Sequence, residues 1–168
     1  YLESRWVKPD LGKELNDLSR YVYHEVARAY VVVDELDKAV EHAEKACVLA
    51  KRLRIVYYEV LSCGLPPRLK AVRDGAPPVE EFEEVWKRAS QDVGRLGAEA
   101  IAITLGEYVV ALASVRRLGD VEKALEGWSW ALELDPGTSA LTYGVLSLFD
   151  GRYLEKAVGH LPEEARAN

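Results

Sequence analysis

From Gly119 to Pro136 the chain reads Gly-Asp-Val-Glu-Lys-Ala-Leu-Glu-Gly-Trp-Ser-Trp-Ala-Leu-Glu-Leu-Asp-Pro, and few architectures can house such a segment. Gly119-Asp120 marks a turn into a helix, and Pro136 follows the helix end. Ala124 and Ala131 share one face and are small enough to admit a neighbouring helix, with Trp128 filling the groove between them. A helix of this kind cannot bury its apolar face alone. It has to stack on other helices.

The rest of the chain has the same period, punctuated by Gly and Pro and without a convincing strand. A first helix is expected from about Asp10 to Val33, with Leu11, Leu15, Leu18, Val22, Val26, Ala29 and Val33 as its core stripe. A second starts near Leu36 and continues, or bends, near Arg52–Arg54. Between Gly64 and Pro78 two Pro-Pro pairs leave room for one short helix around Arg68–Arg73, flanked by turns. A helix follows from Pro78, with Phe82, Val85, Trp86, Ala89, Val93 and Leu96 facing inward and acidic residues in its first turns, where they complement the helix dipole. A strongly apolar helix, Ala98–Leu118, comes next. Then come Asp120–Leu134, Thr138–Phe149 and Tyr153–Leu161, the last presenting Leu154, Val158 and Leu161 to the core as a cap.

The segment at Gly119–Pro136 resembles the second helix of a tetratricopeptide repeat, a helix-turn-helix unit of about 34 residues that stacks into arrays. Asp34-Glu35-Leu36-Asp37-Lys38-Ala39-Val40 parallels Gly119-Asp120-Val121-Glu122-Lys123-Ala124-Leu125, which sets Ala46 against Ala131 and Tyr23 against Tyr108. In the first unit Tyr23, Ala27 and Tyr30 match the family's aromatic, small, aromatic positions. In the second, Leu112 and Val115 depart from them. The two alanines lie 85 residues apart, two and a half of the roughly 34-residue periods. The expected fold is therefore an all-α, TPR-like single domain of about seven to nine helices, a short α-solenoid or bundle. Its hairpins fall at about 20–50 and 105–136, a divergent middle at about 52–96, and a partial repeat or cap at 138–161.

The resemblance implies a groove lined by first helices, which places Tyr21, His24, Arg28 and Val31 there from one unit and Val109, Ala113, Arg116 and Arg117 from the other. The family's Lys/Asn clamp for a terminal carboxylate has no counterpart at these positions, so an acidic or aromatic-bearing peptide suits them better. Trp130 is a further candidate. Two residues past Trp128, it turns about 200° around the helix, so that either the next helix covers it or it stands as a contact anchor.

Catalytic signals are sparse. His24, His42 and His160 have no His or Cys at helical spacing, and Cys47 and Cys63 are far from a zinc pattern. Neither a nucleophile elbow nor a phosphate-binding glycine loop is present. Arg20 precedes His24 with three residues between them, one short of the spacing in HEPN-type ribonucleases. That makes a small helical nuclease the enzyme alternative. The two cysteines read foremost as buried thiols packing as small hydrophobes, with a Cys47–Cys63 disulfide as the alternative. Asn and Gln number three in all and Met is absent, a depletion seen in hyperthermophile proteins, whose intracellular disulfides make that alternative real.

A net charge of −6 disfavours nucleic acid as a partner, since such binding runs on Lys and Arg neutralising phosphates. The longest apolar segment, Ala100–Val115, is split by Gly106 and Glu107 and falls short of a membrane span. No signal peptide is read in the first thirty residues, so a cytoplasmic chain is expected, although the start at Tyr1 leaves room for an upstream segment removed in processing. The resulting expectation is a non-enzymatic scaffold or adaptor without metal or cofactor, which binds another protein or peptide. The alternative is a self-assembling structural subunit, joined through the helix Ala98–Leu118 or Trp130.

Overall fold

The computed structural model describes residues 11–160, which form nine α-helices and no strand. They are α1 (Leu11–Val32), α2 (Leu36–Leu53), α3 (Val56–Cys63), α4 (Leu65–Asp74), α5 (Val79–Ser90), α6 (Ala98–Ser114), α7 (Leu118–Glu133), α8 (Pro136–Ser147) and α9 (Leu154–Gly159), with 3₁₀ turns at Val93–Arg95 and Gly151–Tyr153. The all-α class and the helix number are as expected. Asp10 and Leu161, the outer ends of the first and last expected helices, lie outside the described residues.

Two hairpins, α1–α2 and α6–α7, are closed by the same turn. Asp34 (φ 61°) and Arg116 (φ 63°) take the left-handed conformation. Beyond each of them a backbone N–H reaches back to the helix, Glu35 to the Tyr30 carbonyl and Arg117 to the Leu112 carbonyl, both at 2.9 Å. This six-to-one bond satisfies carbonyls that a helix end otherwise leaves without partners. The shared geometry sets Asp34 against Arg116, 82 residues apart, which corrects the 85-residue register expected from the Ala39–Ala124 match. Tyr23 then corresponds to Leu105, not Tyr108, and Ala27 to Val109. Gly119 and Asp120 fall inside the first turn of α7; the reversal itself is made by Arg116 and Arg117.

Prolines start two helices earlier than expected. In α4, Pro66 and Pro67 occupy the first turn, where a missing N–H costs nothing because those donors have no helical partner. In α8, Pro136 is the first helical residue. Asp135 caps it by accepting from the Gly137 N–H at 3.1 Å and the Thr138 hydroxyl at 3.0 Å.

The main core gathers α3 and α5 to α9 around α6, whose Ile101, Leu105, Val109, Leu112 and Ala113 are all buried. This answers the question left by its apolar composition: α6 is the central helix, wrapped by α5, α7 and α8. Its approach to α8 is close at Gly106, where a Cβ would stand 2.5 Å from the Thr142 hydroxyl. Gly106→Ala is therefore expected to destabilise the chain by about 1–2 kcal/mol through overpacking, despite the better helix propensity of Ala. Adding Thr142→Ala should recover part of that loss; urea denaturation of both variants checks it.

The α1–α2 hairpin has a second, smaller core of Ala27, Ala39, Val40, Ala43 and Leu69. Covalent and ionic ties join it to the rest. Arg54 (φ 54°) ends α2 in the left-handed region and redirects the chain into α3. The last residue of α3, Cys63, thereby reaches Cys47 on α2 and forms a disulfide, Cα to Cα 4.5 Å. The expectation of two free thiols is thus corrected. At the other end of the chain Tyr153 of the 3₁₀ turn and Ala157 of α9 are buried while Leu154 and Val158 are exposed, the reverse of the cap face expected.

Candidate functional site

The two faces of α1 are exchanged relative to expectation. The α2 surface it meets is lined by alanines, Ala39, Ala43, Ala46 and Ala50, all fully buried. Small residues leave gaps that large side chains fill, so α1 turns Arg20, Tyr23, Ala27 and Tyr30 towards α2 and α3. His42 of α2 lies between the two tyrosines, 5.9 Å from the Tyr23 ring and 5.1 Å from that of Tyr30. The aliphatic stripe expected to form the core faces out instead. Leu15 is 64% exposed, Leu18 61%, Val22 48% and Val33 64%, although Val26 is half-buried; Tyr21 at 56% and Val32 at 85% stand beside them.

Of the groove residues expected from the first hairpin, Tyr21 and Arg28 are exposed along this outward face, Val31 is exposed but about 180° around the helix from Val22, and His24 is half-buried. Those from the second hairpin do not join them. Val109 and Ala113 are wholly buried in the core. Arg116 is the turn residue, its guanidinium 5.4 Å from the Phe149 ring, and Arg117 pairs with Asp120 at 2.7 Å. Trp130 is 45% exposed and rests on Trp128, ring centres 5.6 Å apart, which in turn meets Trp86 edge-on at 5.3 Å. The helix α8 leaves it partly open.

Arg20 and His24 do not face solvent together. Arg20 is 5% exposed. Its Nε and Nη2 donate to Asp17 at 2.9 and 2.8 Å, its Nη1 donates to the buried Ser62 hydroxyl at 3.2 Å, and its guanidinium lies 4.3 Å from the Tyr58 ring centre. That arrangement pins α1 to α3. The His24 Nδ1 is buried and has no hydrogen-bond partner among the described residues. Burial lowers the His24 pKa below its ordinary 6.5, and the positive charges of Arg20, Arg28 and Arg68 reinforce this against Glu25. Arg68 pairs in turn with Glu107, whose own pKa is raised by burial despite that guanidinium.

A pH dependence follows from the lowered His24 value. The unfolded chain takes up a proton at His24 more readily than the folded one, so the stability this residue contributes is present above its ordinary pKa. It is lost as pH falls from about 7 towards 5. Glu107 acts in the opposite sense, contributing below its ordinary pKa and losing that contribution as pH rises. The difference between wild type and His24→Gln isolates the histidine. Wild type should lose ground to the variant on acidification in paired denaturation curves, and a constant difference would contradict the assignment.

A cleft of about 740 Å³ opens between α2, α3, α4 and α5, with the Cys47–Cys63 disulfide in its lining. Its cations are matched by carboxylates: Lys51 with Glu84 at 3.0 Å, Lys70 with Glu44 at 2.8 Å and Glu81 at 2.9 Å, and Arg88 with Glu59. Burial works against the Lys70 ammonium, but the two carboxylates outweigh it and hold its pKa above the ordinary value. Charges so balanced create little net field for an ionic ligand. Sequence reasoning had no signal for this cleft, because it forms only where α3, α4 and α5, from the segment between the repeat-like hairpins, fold against α2.

Among the described residues no cluster of three or more His, Cys, Asp or Glu is placed to hold a metal, and no helix is long and apolar enough to cross a membrane. No known protein family, no curated protein and no solved structure matches the chain.

Proposed function

We propose that this chain is a non-enzymatic protein-interaction module whose docking surface is the outer face of α1. One observation carries the reading: Leu15, Leu18, Tyr21, Val22 and Val32 stand exposed along a single helix that has another, well-packed face on α2. Contiguous exposed apolar residues rimmed by charge mark interaction sites, and an amphipathic helix offers such a face to a complementary helix. The site differs from the concave groove implied by the tetratricopeptide resemblance, although Tyr21 and Arg28 belong to both. An adaptor or scaffold role without chemistry suits the remaining features, in particular an Arg20 engaged in holding α1 in place.

The double variant Leu18→Lys/Val22→Lys tests this. Both residues are exposed, lysine is a good helix former, and the new charges fall at helical spacing from Glu14 and Glu25, so folding should be unaffected by circular dichroism. Quantitative capture from native extract should show the chain's bound proteins, copies of itself included, depleted in the variant. Equal recovery by variant and wild type would sink the proposal.

A further inference from the structure

We infer that the occupant of this face is a second copy of the chain, its α1 laid antiparallel across a two-fold axis beside Tyr21. The inference rests on the docking face proposed above and names its partner.

The exposed stripe has a period of its own. Leu15, Leu18, Val22, Glu25, Ala29 and Val32 alternate spacings of three and four, the seven-residue period of a two-stranded coiled-coil seam. The packed face, Arg20, Tyr23, Ala27 and Tyr30, occupies the other side of the helix, so α1 can serve its own hairpin and a partner at once.

Charge then selects both partner and direction. One flank of the stripe carries Glu14, Tyr21 and Arg28, each seven residues from the next and all exposed. The other flank, Gly12, Ser19, Val26 and Val33, carries no charge. Parallel helices bring opposite flanks together, which would set Glu14 and Arg28 against uncharged residues. Antiparallel helices bring like flanks together. With Leu18 opposite Val22 of the second copy, Glu14 meets Arg28 of the second copy, the reciprocal pair forms by symmetry, and Tyr21 meets its own counterpart. The row is its own complement under a two-fold axis, as an isologous interface requires. Glu25 is the one polar residue in the stripe, and Arg28 of its own helix lies 3.3 Å from it. A single polar position of this kind fixes register at some cost in affinity.

The experiment is sedimentation of the full chain over a concentration series, read with four sets of variants. Wild type should rise from 18.8 kDa towards twice that mass, and Leu18→Lys/Val22→Lys, which sets like charges opposite one another, should stay at the lower mass. Glu14→Arg and Arg28→Glu should each weaken association by about tenfold and their combination restore it, as charge pairs across interfaces do. Tyr21→Cys should form an interchain disulfide under mild oxidation where Leu18→Cys does not. Glu25→Leu, which completes the stripe, should tighten association. Wild type at 18.8 kDa throughout, a double swap that fails to restore binding, or cross-linking through position 18 instead of 21 would each overturn the antiparallel pair. A monomer whose stripe variant loses a different protein, or whose stripe is covered by its own residues 1–10, would remove the second copy as partner. A monomer losing no partner at all would remove the docking face as well.

Discussion

Cys63→Ser should lower the unfolding free energy by about 3 kcal/mol, the entropy that a cross-link closing a loop of this size takes from the unfolded chain. The disulfide spans sixteen residues from α2 to the end of α3. Its mechanical role adds to the expectation. The α1–α2 hairpin has its own small alanine-rich core, separate from the main cluster around α6, and small side chains supply little apolar area for holding two bodies together. Removing the covalent tie leaves Leu69 of α4 in the hairpin's small core, the Arg20 network and the ion pairs at Lys51, Lys70 and Arg73 to keep the hairpin in place, and exposed ion pairs contribute little each. Guanidinium denaturation of wild type with and without reductant, beside the variant, measures this. Reduced wild type should fall to the variant's midpoint. A variant within about 0.5 kcal/mol of oxidised wild type, the range of an ordinary surface substitution, would show the tie to be dispensable.

Arg20→Met should cost about 2 kcal/mol. The substitution keeps an unbranched apolar side chain but removes the guanidinium from over the Tyr58 ring and strips the Ser62 hydroxyl, which is fully buried, of its donor. Hydrogen bonds to charged groups are worth about 1.5–3 kcal/mol, and breaking a buried pair costs more when the other charge stays buried. Asp17 is 39% exposed and can return to water, which keeps the loss below that upper range. A double-mutant cycle with Ser62→Ala should show coupling of about 1 kcal/mol, and additivity would refute the contact. The same variant bears on the nuclease alternative: a folded Arg20→Met that loses an RNA-cleaving activity would revive it.

How much of this was legible varies from element to element. The helices were, because Pro, Gly and apolar periodicity are local signals, and each expected helix is present. Which face of α1 packs was not. Hydropathy favours the stripe with the most aliphatic carbon, whereas the alanine surface of α2 accepts Tyr23, Ala27 and Tyr30 and leaves Leu15, Leu18 and Val22 outside. Packing complementarity belongs to a pair of helices and is invisible in either alone. The repeat register slipped by three residues for a related reason. The match was anchored on Asp37-Lys38-Ala39 and Glu122-Lys123-Ala124, while the backbone is anchored on left-handed Asp34 and Arg116, where no glycine announces the turn. The disulfide depended on Arg54 redirecting α3, and the interior position of Val109 depended on α6 being enclosed by three neighbours. Of the candidate site residues, the exposure of Tyr21, Arg28 and Val31 on one helix was readable, and the partnership between Arg20 and Ser62, forty-two residues apart, was not.

The central claim is that the chain meets other protein through the outside of α1. The most direct test places a photo-crosslinking amino acid at Leu18 and, in a separate preparation, at Trp130, an exposed aromatic on α7. Irradiation in native extract should yield covalent protein adducts from position 18 well above those from position 130. Adducts from Trp130 with none from Leu18 would contradict the account and return the interface to α7.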